Sequence, residues 1–232
     1  ALQMEVIMNQ QIYWHTTVQM PDDSNPSTGS GRRLTPIPEK VDVAVIGGGY
    51  TGLSAARTLA KHNTNVVVLE AETMGWGASS RIGGMTLTGL KVSMQTVIRK
   101  YGRDLAKELF QASIDSVNTV EQIVKEENID CGFARTGHLL AANKPKHYEA
   151  LKDEVDFMAK EFNHQVHLVS PKDLQSEIGS NVYHGALVDD VSAGVNPAQF
   201  VAGLAGAAEK AGAMLCARAR VTKLGRSQNR FL

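Results

Sequence analysis

The chain has 232 residues and 43% hydrophobic content, enough to bury the core of one large domain or two modest ones. Its 24 Lys plus Arg balance its 24 Asp plus Glu, which removes the charge-driven case for nucleic acid or an acidic membrane surface as partner. Cys131 and Cys216 match no metal-ligand or redox spacing, no apolar run reaches membrane-spanning length, and Ala1 to Met20 lacks the plan of a signal peptide. The expectation is therefore a cytoplasmic, globular protein without a metal, acting on a small molecule.

Pro21 to Pro38 is dense in Asp, Ser, Asn, Gly and Pro, so residues 1–40 read as an extended arm. Val41 to Ile46 is a short apolar run, the pattern of a strand covered on both faces in a parallel sheet. Gly52 to His62 then places Leu53, Ala56, Leu59 and Ala60 on one helix face, and Asn65 to Glu70 supplies a second strand, completing a βαβ unit. Beyond Leu90 the spacing predicts helix, with Leu105, Leu109, Ala112, Val120 and Ile123 as the packed stripe. A strand at His138 to Ala142 follows, then a helix with Tyr148, Leu151, Val155, Met158 and Phe162 along one side. Ser170-Pro171 opens a short helix, Ser as N-cap, and Val182 to Val188 reads as a strand. Asn196-Pro197-Ala198-Gln199 has the form of a capping box, predicting a helix from Pro197 to Ala211 closed by Gly212, with Ala213 to Val221 as the returning strand. This order describes an α/β sheet interrupted by an inserted region.

Gly47-Gly48-Gly49-Tyr50-Thr51-Gly52 satisfies G-x-G-x-x-G between a strand and a helix. Gly47 permits the tight turn, Gly49 leaves room for a pyrophosphate, and Gly52 allows close helix–strand packing, while the helix N-terminus offers N–H groups and partial positive charge to phosphates. Glu70 ends the second strand 18 positions after Gly52, where a carboxylate can accept from both ribose hydroxyls. A structural turn followed by a solvated Glu is the alternative, and this combination of features disfavours it. The motif alone does not separate FAD from NAD. The following loop, Ala71 to Met85, is rich in small residues, with Ser79, Ser80 and Arg81 available to phosphate oxygens.

Within that loop, Gly77-Ala78-Ser79-Ser80-Arg81-Ile82-Gly83-Gly84 resembles the G-A-S-x-R-N-G-G segment of the D-amino-acid oxidase family of flavoproteins. The likeness is nearest to the gamma-glutamylputrescine oxidase-like and glycine oxidase-like branch, through Tyr13-Trp14, Gly49-Tyr50-Thr51-Gly52-Leu53-Ser54 and Val195 to Phe200. It implies an α/β fold: an FAD-binding Rossmann-like domain of glutathione-reductase type with an inserted α+β substrate domain, incomplete at the C-terminus. The expected divisions are an arm (1–40), a first FAD-binding segment with helices (41–134), a partial substrate-binding domain (135–190) and a returning FAD-binding segment (191–232). Carried over by position, Gly47, Gly49, Tyr50, Thr51 and Gly52 would hold the pyrophosphate. Glu70 with Ala71 would meet the adenosine ribose, and Ala78, Ser79, Ser80, Arg81, Gly83 and Gly84 would form the flavin-side loop. Val221, ending the returning strand, would meet adenine through its backbone. Ile82 stands where the family usually has Asn, and Trp76 either shields the cofactor or packs.

The resemblance further implies an FAD-dependent oxidoreductase that oxidises the C–N bond of an amine or amino acid. Because family members continue for a comparable stretch, the expectation includes a missing C-terminal half, or a partner chain, that completes the site. No catalytic residue is assigned, and His138 reads as a surface or satisfied core histidine. The alternatives are a flavin-binding subunit or fragment without independent catalysis, and a nicotinamide-binding domain, against which the loop from Gly75 to Gly84 speaks.

Overall fold

The structure, a computed structural model, describes residues 12–18, 36–228 and 230–231. Positions 1–11 and 19–35 of the expected arm lie outside the described residues. In chain order the first elements are a 3-10 turn Tyr13–Thr16, β1 Val43–Ile46, α1 Tyr50–Lys61, β2 Val66–Leu69, a 3-10 turn Ala78–Ser80, and β3 Met85–Thr86. There follow α2 Met94–Tyr101, α3 Arg103–Glu126, β4 His138–Ala141, α4 Pro145–Phe162, β5 His167–Val169, α5 Leu174–Ile178, β6 Ala186–Asp189 and β7 Ala193–Gly194. The last are α6 Pro197–Lys210, β8 Met214–Cys216, β9 Arg226–Ser227 and β10 Arg230–Phe231.

The described residues form two compact units, one from those up to 83, 127–131 and those from 196 on, the other from 84–126 and 132–195. The expected breaks near 134 and 191 do not coincide with this division. α2 and α3 belong with the inserted unit because Met94, Val97, Ala106 and Phe110 form one buried cluster with Met158 of α4. The apolar face of an amphipathic helix goes where a partner face is available.

The first unit is built on a parallel sheet of order β1-β2-β8. Parallel neighbours need a crossover, and α1 supplies it between β1 and β2. Val66, Val67 and Val68 of the central strand are buried, at about 1.5–3 kcal/mol per fully buried apolar side chain. Among the described residues β1 is the end strand of this sheet and its burial alternates, with Ile46 57% exposed, so coverage on both faces holds for β2 and not for β1. α1 buries Leu53, Ala56 and Ala60 as the spacing predicts, together with Arg57. Arg57 Nη2 lies 2.6 Å from Glu127 Oε1, and both side chains are 7% exposed. The Lys61 ammonium, more than Arg57, holds the Glu127 carboxyl below the usual carboxylate range against the opposing effect of burial.

Asn196 caps α6 as expected, its Oδ1 accepting from the N–H groups of Ala198 and Gln199 at 3.1 Å. The box is not closed. Gln199 Nε2 donates to the Thr17 carbonyl, while the Asn196 N–H donates to the Cys131 carbonyl. β8 stops at Cys216, short of the expected Val221. The chain turns at Arg218 (φ +56°), and the N–H groups of Arg218 and Ala219 donate to the carbonyls of Glu72 and Glu70.

In the second unit, β4 and β5 flank β6 in an antiparallel sheet, and β3 pairs with β7. The buried side of α3 carries Ala106, Phe110, Ser113, Val117 and Ile123, whereas Leu105 of the expected stripe is exposed. Ser170 does not cap a helix: α5 begins at Leu174, and the Ser170 carbonyl accepts from Asp173 and Leu174 in the preceding turn. β6 begins at Ala186, later than the expected Val182. Asp189, at its end, is 7% exposed and accepts from the Val191 N–H (3.0 Å), from Ser192 Oγ (3.2 Å) and from Thr88 Oγ1. His164 Nε2 lies 3.1 Å from Asp189 Oδ1, within ion-pair distance when the ring carries a proton. Burial pushes the Asp189 carboxyl up, but the His164 ring and these donors outweigh it and pull it down to about 2.

Candidate functional site

The glycine loop leaves β1 through Gly47, whose φ of +103° lies in the region that favours glycine and whose N–H donates to the Leu69 carbonyl at 2.9 Å. Gly49 is the N-cap of α1 and is extended (φ −88°). A Cβ on Gly49 would stand 2.8 Å from Ser79 Oγ, and one on Gly52 would overlap the Gly47 carbonyl oxygen. Gly47 thus makes a positive-φ turn, Gly49 lies against the Ser79 hydroxyl, and Gly52 packs closely on the end of the strand. Thr51, in the first turn of α1, is exposed.

Glu70 lies at the same loop. Its Oε2 accepts from the Gly48 N–H at 2.6 Å and its Oε1 from the Glu72 N–H at 2.9 Å. A carboxylate has about four lone-pair directions, so two backbone bonds leave capacity for hydroxyl donors. Gly48, to which the sequence reading assigned no role, is where this contact is made. A Cβ there would meet the Met74 sulfur at 2.5 Å and the Glu70 side chain at 3.1 Å. Ala71 follows Glu70 and is half-buried, and Val221 lies in the irregular stretch after β8.

In the loop beyond β2, Ala78, Ser79 and Ser80 form the 3-10 turn. Ser79 Oγ accepts from the Tyr50 N–H at 3.1 Å, which sets it over the first turn of α1, where a dipole and unpaired N–H groups favour oxyanions. Ser80 points elsewhere. Its side chain is buried, with Oγ 2.7 Å from His15 Nε2. Arg81 donates from Nε to the Trp76 carbonyl at 2.7 Å and lies 4.4 Å from the centre of the Trp76 ring. Trp76 is 49% exposed, so core packing does not account for it. Ile82 and Gly83 are exposed. Gly84 (φ +77°) opens the second unit, its carbonyl accepting from the Val195 N–H.

Tyr50 contributes its backbone to the loop and its side chain to packing. The phenol donates to the Pro197 carbonyl at 2.9 Å and its ring packs against Phe200 at 5.2 Å. Burial, and secondarily the Cys131 thiol, push this phenol's pKa up, so it stays a neutral donor. The Tyr13–Thr16 turn adds His15, a residue that no motif signalled: only its contact with Ser80 reveals it.

Residues 42–231 match the model of a family described as FAD dependent oxidoreductase (DAO). The chain belongs to this DAO family. It is 32% identical over 183 residues to the gamma-glutamylputrescine oxidoreductase of Escherichia coli (strain K12), a match covering 79% of this chain and 43% of that protein. A probable oxidoreductase OrdL of Haemophilus influenzae is 33% identical over 173 residues, covering 74% of this chain and 40% of its own. The chain thus spans less than half the length of these relatives. Among solved structures, the fold is similar to that of glycine oxidase from Geobacillus kaustophilus, with a TM-score of 0.65 at 24% identity over 82% of this chain and 50% of that one. FAD is the cofactor of the DAO family, and the loop fits it. Bare backbone at Gly47 and Gly49, the α1 N-terminus, the Ser79 hydroxyl and the Glu70 carboxylate are gathered at one end of the parallel sheet, the usual position for a dinucleotide. Among the described residues, no group of three His, Cys, Asp or Glu side chains is placed to hold a metal ion, and no helix is long and apolar enough to cross a membrane.

Proposed function

We propose that this protein is part of an FAD-dependent oxidoreductase that oxidises the C–N bond of an amine or amino acid. The observation that carries the reading is the glycine loop with Ser79 over the N-terminus of α1 and Glu70 bound to the same loop. In this reading Gly47, Gly49, Tyr50, Thr51 and Gly52 hold the pyrophosphate, Glu70 and Ala71 meet the ribose, and residues 78–84 border the flavin side. Val221 would meet adenine through its backbone. When bound, FAD would supply the two-electron oxidant for the C–N bond, so that an amine losing a hydride from carbon and a proton from nitrogen would become an imine that water hydrolyses. The chain's own residues bind and orient. The α1 N-terminus and Ser79 offset phosphate charge, and the Glu70 carboxylate favours hydroxyl donors over a 2′-phosphate, which it would repel.

The relatives named for gamma-glutamylputrescine and glycine support an amine or amino acid as the substrate class. An absorption spectrum before and after anaerobic addition of candidate amines tests cofactor and reaction together. We expect flavin bands that bleach with a substrate amine. A protein that is colourless and takes up no FAD would overturn the reading. One that holds FAD but leaves it oxidised with every amine would favour a flavin-binding chain without turnover of its own.

A further inference from the structure

We propose that His15 is a positioning residue for the cofactor loop: by holding the Ser80 hydroxyl, it sets the conformation in which Ser79 faces the first turn of α1. This rests on the FAD reading above. Ser80 is 0% exposed, and its Oγ lies 2.7 Å from a histidine 65 residues away in the chain. In the same short turn, Ser79 Oγ lies 3.1 Å from the Tyr50 nitrogen. The turn that carries His15 is itself fastened to α6, through Asn196 Nδ2 to Thr17 Oγ1 at 2.7 Å and Gln199 Nε2 to the Thr17 carbonyl at 3.3 Å. A buried hydroxyl deprived of its partner must find another. In a three-residue 3-10 turn, that rearrangement carries the neighbouring Ser79 with it.

The contact also depends on the charge of the ring. Partial burial first, and the Arg81 guanidinium second, lower the His15 pKa and favour the neutral imidazole. Of the elements packed against its turn, the first turn of α6 has no acidic residue and the Ala78–Ser80 turn has no titratable side chain, while Glu127, Asp130 and Lys210 line the pocket beside Val18. Docking therefore has full strength above a pH of about 6.5, where a free histidine is neutral. It weakens as the pH falls through that value, because the undocked ring takes up its proton first.

The test is FAD titrated into the apoprotein, followed by flavin fluorescence, at about pH 8 and about pH 5.5. His15→Ala should weaken FAD binding about tenfold at the higher pH, as expected for an orphaned buried hydroxyl. His15→Gln keeps a donor and an acceptor but does not titrate. It should bind like the wild type at the higher pH and keep that affinity at the lower, where the wild type weakens. A merely structural histidine would lower the melting temperature of both variants without changing the pH profile. Wild-type affinity in His15→Ala, or one pH profile shared by wild type and His15→Gln, would overturn the proposal. The Gln comparison decides alone if the Ala variant does not fold. Absence of FAD binding by the wild type itself would overturn the FAD reading along with this one.

Discussion

At Gly52 an added methyl group would overlap the Gly47 carbonyl oxygen and press on Val45 Cγ1 at 3.1 Å. The first of these is backbone, which yields only if α1 moves off the sheet. Gly52→Ala should lower the unfolding free energy by about 1–3 kcal/mol, as overpacking does, and reduce FAD content in the purified protein. Denaturant melts and the flavin-to-protein absorbance ratio check it, and normal values in both would remove Gly52 from the packing argument. Asp189 is the other residue at which the geometry gives a sign. Its carboxyl is held at about 2, below an unfolded value of about 3.9, so its contribution is present above the unfolded pKa and is lost as the pH falls through the folded one. Asp189→Asn should cost about 2 kcal/mol near neutral pH. The difference from wild type should close between about pH 4 and pH 2, measured by urea unfolding. A gap of constant size across that range would mean that the charge does not matter there.

At the scale of elements, α6 shows which local signals survive folding. Asn196 was legible as a cap from residue type and the following proline, since a short side-chain acceptor at that position satisfies N–H groups of the first turn whatever surrounds it. Gln199 was not, because its amide found the Thr17 carbonyl, a partner 182 residues away. Asn196→Ala should destabilise the protein by about 1 kcal/mol, whereas Asn196→Asp keeps the acceptor and should lose less. Thermal melts of the two variants read this directly, and equal losses would place the effect in the Thr17 contact instead. On α3 the spacing named helix correctly but chose a face that includes the exposed Leu105. The packed face is the one that meets Met94 and Val97 of α2 and Met158 of α4, partners that spacing along α3 does not reveal.

For the whole molecule, the βαβ start, the insertion and the return of α6 and β8 to the same sheet follow from local pattern, because strand, glycine turn and amphipathic helix are each specified by nearby residues. The glycine loop, with its positive φ at Gly47 and close packing at Gly52, was likewise determined by the sequence itself, since backbone sterics require glycine there. The tertiary structure alone decided which unit α2 and α3 join, that β1 is covered less fully than β2, that the Glu70 carboxylate turns to the Gly48 N–H, and that His15 meets Ser80. Each of these is a choice among partners distant in the chain. Periodicity and motif spacing describe what a segment can bury or bond, and packing determines with what.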